Sequence, residues 1–216
     1  MQRWRPSSHY SSGKRRHATF ILVVCRDDEK IQSEYVAVDK VNVTVFYETF
    51  CPGSRTFFKM QLGPAVQKLS RFINLSLVPY GNARVLQRHG VERIICDHGP
   101  VECLGNKIHA CVLHLVQNTT SATLFNVCMM GVNGAPSNAL FTCGDRHNLY
   151  TGAIWECASS SQGTTLLRKH GNTTGAAHPP YVPYTLLNGV STNRRNLISA
   201  LCATITQPPG FCLMYL

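Results

Sequence analysis

The chain has 216 residues, 44% of them hydrophobic, which suits one domain with a core of its own and requires no second. Its formal net charge is +10, but Arg3, Arg5, Lys14, Arg15 and Arg16 fall in the first 25 positions without a single acid, and the remainder carries 16 basic against 11 acidic residues. No nucleic-acid-binding motif accompanies this charge, so a nucleic-acid partner is not expected.

Residues 1–40 are expected to form a signal or disordered N-terminal segment. The first 17 are polar, basic and serine-rich. Ala18 to Cys25 is then a short apolar run behind Lys14, Arg15 and Arg16, the order of a secretory signal, although an extended start or a buried strand would read alike. Eight apolar residues do not cross a bilayer and no other apolar run is longer, so no stable membrane insertion is expected.

Residues 41–207 are assigned to one domain and 208–216 to a C-terminal tail. Val41, Val43, Val45 and Tyr47 share one parity in residue types that favour a strand. Cys51 follows directly before Pro52, a residue tolerated in the first turn of a helix. Phe58, Leu62, Ala65, Leu69 and Phe72 recur at helical spacing on one apolar face. Cys51 therefore stands at a helix N-terminus, where unpaired N–H groups favour a thiolate. Leu75 to Tyr80 reads as a second strand, which makes the segment a βαβ unit with a parallel pair.

Residues 96 to about 175 hold six cysteines among short apolar stretches of helical spacing, and read as a disulfide-rich, mainly helical insertion. Ser159 to Pro180 is expected to be a loop. Tyr181 to Leu187 returns to strand character, Asn188-Gly189 is a tight turn, and Arg194 to Ile205 is a closing helix with Leu197, Leu201, Thr204 and Ile205 on one face.

Ten cysteines point to an oxidising compartment with a few disulfides on a packed core. Cleavage near Cys25 leaves nine; with Cys51 set aside, eight remain, an even number whose 105 possible pairings stay open. Four sequons, at Asn42, Asn74, Asn118 and Asn172, mark glycosylation candidates, with Asn42 inside the first strand. A zinc site among Cys96, His98, Cys103, His109, Cys111 and His114 does not fit, because these cysteine gaps are wider than the two-to-four spacing of paired ligands. No metal or resident cofactor is expected.

Cys51 to Ser54 has the form C-x-x-S, and a serine there could donate a hydrogen bond to a thiolate but forms no disulfide. Val182-Pro183 opens a strand, where a proline facing a reactive cysteine is a candidate for a cis bond. The stretch CDHGPVECLGNKIHAC, Cys96 to Cys111, closely resembles the signature of the gamma-interferon-inducible lysosomal thiol reductase family, with Asp97 where glutamine is usual. The resemblance continues through NVTVFYETFC, LVPYGNAR, IWECA and YVPYTLLNG, in matching order from about Val41 to Cys202.

It implies an α/β, thioredoxin-like fold with a helical insertion, a glycosylated secretory-pathway protein of lysosomal or extracellular location, and reduction of disulfide-bonded protein substrates at acidic pH. By the resemblance Cys51 is the attacking thiolate, Ser54 holds the resolving-cysteine position, and Pro183 is the cis-proline beside the site; Val182 and Pro183 are the expected substrate-binding residues, the carbonyl and N–H before the proline being open to an extended substrate. Cys96, His98, Gly99, Glu102, Cys103, Asn106 and Cys111 are its signature residues, with His98 and Glu102 expected to hold the turn. Ser54 leaves the chain with one thiol, so the expected activity is a monothiol thiol–disulfide oxidoreductase served by an external small thiol. The alternative is a secreted thioredoxin-like binding module with little or no turnover.

Overall fold

The computed structural model describes residues 39–192 and 195–215, so the N-terminal segment, Cys25 and Arg194 lie outside the described residues. Strand β1 is Val41–Tyr47. Val41, Val43, Val45 and Tyr47 are buried as their parity predicts, and Phe46 is buried on the other face, so both sides of β1 are covered. Strand β2, Ile73–Pro79, lies parallel to it, with Val43 opposite Leu75 and Val45 opposite Leu77. Between them runs a helical stretch made of α1 (Pro52–Phe57), one π-helical turn (Phe58–Leu62), α2 (Gly63–Leu69) and a short 3-10 turn to Phe72. Pro64 explains the widened turn: it has no N–H to give to the preceding turn, and a π-bulge absorbs the missing bond without ending the helix. Phe58, Leu62, Ala65 and Leu69 are fully buried, as the spacing required.

The sheet is completed by β5 (Tyr184–Leu187), antiparallel to β1, and β6 (Val190–Ser191), giving the order β2-β1-β5-β6. Asn188 and Gly189 both take positive φ, 48° and 82°, which is the two-residue turn whose twist matches that of the flanking strands. Strand character begins at Tyr184 rather than Tyr181. The closing helix α8 is Leu197–Thr204; Leu197, Leu201, Cys202 and Ile205 are buried, whereas Thr204 faces solvent. Cys202 is joined to Cys212, which is buried in a 3-10 turn at Gly210–Met214.

Five helices lie between the two halves of the sheet: α3 (Pro100–Leu115), α4 (Thr119–Gly131), α5 (Pro136–His147), α6 (Gly152–Ser159) and α7 (Ser161–Ala177). They enclose a second core around Ile108, Val112, Phe125, Leu140 and Ile154, laced by Cys111–Cys157 and Cys128–Cys143. One expectation is corrected here and one element is added. Ser159 to Pro180 is not a loop: Ser160 caps α7 by accepting a hydrogen bond from the Gln162 N–H, and the helix runs 17 residues. Its glycines are there for close packing. A Cβ at Gly163 would stand 2.7 Å from the Cys157 carbonyl, and one at Gly171 2.7 Å from the Tyr80 ring. An unexpected antiparallel hairpin, β3 (Arg84–Arg88) and β4 (Val91–Ile95), also precedes α3; with neither face buried, its sequence lacks the alternation that announces a strand.

Candidate active site

Strand β1 ends at Tyr47, and the chain must reach the start of α1 through Glu48, Thr49 and Phe50, a bend that leaves backbone N–H groups without sheet partners. Glu48 and Thr49 are nevertheless buried. Buried donors of this kind need acceptors, and α3 supplies them. The Thr49 N–H donates to Asn106 Oδ1 at 3.0 Å, as does the Thr49 hydroxyl, and the Phe50 N–H donates to Glu102 Oε2 at 3.3 Å. Glu102, fully buried, also accepts from the His98 backbone N–H at 3.2 Å and lies 2.7 Å from His98 Nδ1. Below this layer, buried His109 meets the Tyr47 hydroxyl at 3.0 Å; burial, with Arg55 nearby, drives its pKa down to about 3, so the ring is neutral.

The bend delivers Cys51 to the N-cap of α1, with Pro52 as the first helical residue. Cys51 is half-buried, and its Sγ lies 3.9 Å from the Val182 carbonyl oxygen. The Val182–Pro183 bond is cis. Gly53 separates the two: a Cβ there would stand 3.4 Å from Pro183 Cδ and 3.7 Å from Cys51 Sγ. Cys51, Ser54, Val182 and Pro183, drawn from opposite ends of the sequence, are thus brought to one place. Ser54 departs from the expected hydrogen bond. Its hydroxyl is fully buried and makes no hydrogen bond, while the neighbour facing the Cys51 sulfur is the Val182 carbonyl. A groove of about 490 Å³ begins beside the cysteine, lined by Pro52, Gly53, Thr56, Phe57, Met60 and Arg195.

Among the described residues Cys51 is the one free cysteine. The other eight form Cys96–Cys103, Cys111–Cys157, Cys128–Cys143 and Cys202–Cys212. Sulfurs of Cys96, Cys103 and Cys111 are therefore not available as zinc ligands. Gly99 caps α3, and Cys96–Cys103 joins the first turn of that helix to the segment before it, which is how the signature residues sit around the bend.

Sequence reasoning missed Glu48 and Thr49. Glu48 Oε2 accepts from the Asn82 N–H at 3.1 Å, and its carboxyl lies against Gly81, whose φ is +60° and where a Cβ would overlap it. Oxygens of Glu48 and Glu102 and a ring nitrogen of His98 lie within 4.8 Å of one another. The hint was a charge ending an otherwise apolar strand, which ordinarily means a solvated residue.

All four sequon asparagines are exposed. Asn42 and Asn74 stand opposite each other across β1 and β2, with a 3.2 Å side-chain hydrogen bond, and Asn118 caps α4 by accepting from the Ser121 N–H. No helix among the described residues is long and apolar enough to cross a membrane.

Residues 42–147 match the family model described as gamma interferon inducible lysosomal thiol reductase. The chain is 32% identical over 179 residues to the gamma-interferon-inducible lysosomal thiol reductase of Mus musculus, covering 80% of this chain and 71% of that one. It is 31% identical over 194 residues to a gamma-interferon-inducible lysosomal thiol reductase-like protein of Anopheles gambiae, covering 81% and 80%. In fold it resembles the reduced DsbA of Mycobacterium tuberculosis, at a TM-score of 0.56 and 13% identity over 82% of this chain and 89% of that one. The reduced DsbG of the same organism gives 0.55 at 14% identity, over 79% and 80%.

Proposed function

The chain belongs to the gamma-interferon-inducible lysosomal thiol reductase family and is a thiol–disulfide oxidoreductase, and from this premise we propose that it acts on protein disulfides through the single thiol of Cys51, with an external small thiol as reductant. The observation that carries the reading is the free Cys51 at a helix N-cap, with buried Ser54 three residues on and every other described cysteine in a disulfide.

The steps follow from what a lone thiol can do. The Cys51 thiolate attacks one sulfur of a substrate disulfide; the S–S bond breaks, the other substrate sulfur leaves as a thiolate, and Cys51 is held in a mixed disulfide. A neighbouring cysteine would attack next, but Ser54 has no sulfur to offer. A small thiolate therefore attacks the Cys51 sulfur and releases the second substrate thiol. A second small thiol then frees Cys51 and leaves as the small-molecule disulfide. The balance is one substrate disulfide reduced to two thiols and two small thiols oxidised to one disulfide. Where a substrate cysteine makes the second attack, the result is isomerisation.

The groove beside Pro52 and Met60 gives room for the polypeptide flanking the substrate disulfide. Four disulfides fit a secretory-pathway protein, and within it we place the chain in the lysosome or outside the cell, glycosylated at some or all of Asn42, Asn74, Asn118 and Asn172. The same reading includes an acidic working range, in keeping with the lysosomal thiol reductase to which the chain is similar.

The test is reduction of a disulfide-bonded protein at about pH 5, with and without a small thiol. Turnover is expected only with the thiol, and Cys51→Ala should abolish it. Activity that survives Cys51→Ala, or repeated turnover without added thiol, would sink the reading. Tight substrate binding with no turnover under any thiol would mark a binding module instead.

A further inference from the structure

Glu48 is a buried ionisable group that this reaction does not use. It lies three positions before the thiol, in the bend between β1 and α1, and is 1% exposed. Against it pack the Gly81–Asn82 turn and the segment leading into α3. The turn gives one backbone donor, Asn82 N–H, to Oε2, and the Asn82 amide stands 3.5 Å from Oε1. The other side brings Asp97, His98 and Glu102. Among the described residues no lysine or arginine acts on it, so two carboxyls face each other within 4.8 Å with the Asn82 N–H and His98 to offset them.

Two buried carboxyls this close do not both ionise readily, so one keeps a proton. Glu102 has two backbone donors on it, the N–H groups of Phe50 and His98, and a ring nitrogen of His98 at 2.7 Å. Glu48 has the backbone N–H of Asn82. Donors stabilise the charged form, so the proton falls on Glu48.

We propose that Glu48 is a positioning residue for the reaction at Cys51: it keeps a proton beside Glu102, which leaves Glu102, flanked by His98, to fix the Thr49–Phe50 backbone that carries the thiol. The link is direct, since the same Glu102 oxygen that meets His98 accepts the Phe50 N–H, one residue before Cys51. Loss of that proton puts a buried anion next to Glu102, disturbs its hold on Phe50 and so changes the reactivity of the thiol that follows. The bend is therefore set for acidic conditions. Burial and the nearby Glu102 raise the Glu48 pKa to about 7, which puts the change on the alkaline side of the proposed working range.

This proposal rests on the assignment of Cys51 as the reacting thiol, and the experiment separates the two. The second-order rate constant for alkylation of Cys51 in the intact protein is followed from about pH 4 to 9. The wild type should show, beyond the thiol's own titration, a second inflection near 7 that changes the rate about three- to tenfold, the effect expected of a unit charge appearing close by. Glu48→Gln should lose that inflection, and Glu92→Gln, which breaks an exposed ion pair with Arg168, should keep it. An inflection that persists in Glu48→Gln overturns the proposal. Should that variant not fold, infrared difference spectra of the wild type decide: one carboxylic-acid C=O band present at about pH 5 and lost by about pH 8 is expected, and its absence overturns the proposal. Failure of Cys51 to alkylate, or activity in Cys51→Ala, overturns the assignment of the thiol instead.

Discussion

Ser54 is where function and stability pull against each other. A buried hydroxyl without a hydrogen bond costs about 1–3 kcal/mol, and Ser54 Oγ is buried and without one while Cys51 faces the Val182 carbonyl. A thiolate or a mixed-disulfide sulfur at position 51 would supply the missing acceptor one turn away. Ser54→Ala should therefore raise the stability of the resting protein by about 1 kcal/mol, read from denaturant midpoints. The same change should slow alkylation of Cys51 at about pH 5 by roughly tenfold or more, the worth of one lost hydrogen bond to a charged sulfur. A variant that is less stable and equally reactive would show Ser54 to be plain packing. At this scale the sequence was only partly readable. Cys51, Ser54 and Pro183 stood out because thiols, helix starts and strand-opening prolines have local signatures. Glu48 did not, because its burial comes from Gly81, Asn82 and Glu102, at positions 33 to 54 residues away.

Elements were legible in proportion to how much of their pattern was local. The parallel β1–β2 pair with its connecting helix followed from parity and spacing, and Pro64 altered one turn without stopping the helix. Helix α7 was unreadable for the opposite reason. Gly163, Gly171 and a series of threonines are poor helix formers, and what holds them helical is contact with residues already placed: Leu167 in the core, Gly163 against Ala158 and Gly171 against Tyr80. That makes a checkable claim about the element. A Gly163→Val side chain must enter space where even a Cβ stands 2.7 Å from the Cys157 carbonyl and 2.8 Å from Ala158 Cα. Both are backbone atoms that cannot turn aside, so the cost should be about 2–3 kcal/mol of unfolding free energy despite valine's better helix propensity than glycine's. Gly175→Val, where nothing lies within 4 Å, should change stability by less than about 0.5 kcal/mol. Equal effects at the two sites, measured by denaturant unfolding, would mean that propensity rather than packing governs α7.

At the scale of the whole molecule, the buried titratable groups set opposing responses to acid. Glu48 has its pKa raised from 4.5 to about 7 by burial and the nearby Glu102. A group raised in the folded state contributes stability that is complete below about pH 4.5 and lost as the pH climbs through 7, so acidification strengthens the fold through Glu48. His109 runs the other way: burial lowers it from 6.5 to about 3, so its contribution is complete above 6.5 and is lost as the pH falls towards 3. His170, lowered by burial to about 4, has the same sign as His109. Between about pH 7.5 and 5 the Glu48 gain and the His109 loss are each on the order of 2 kcal/mol and largely cancel, which leaves the His170 loss as the net response. Removing one group at a time should expose the other. Relative to the wild type, Glu48→Gln should lose about 2 kcal/mol more stability over that interval, because the gain is gone while both histidine losses remain. His109→Asn, which keeps an acceptor near the Tyr47 hydroxyl, should lose about 2 kcal/mol less, whatever its absolute stability. Chemical denaturation of the three proteins at the two pH values reads this directly. Variants that track the wild type in parallel would mean that neither group titrates as its burial requires.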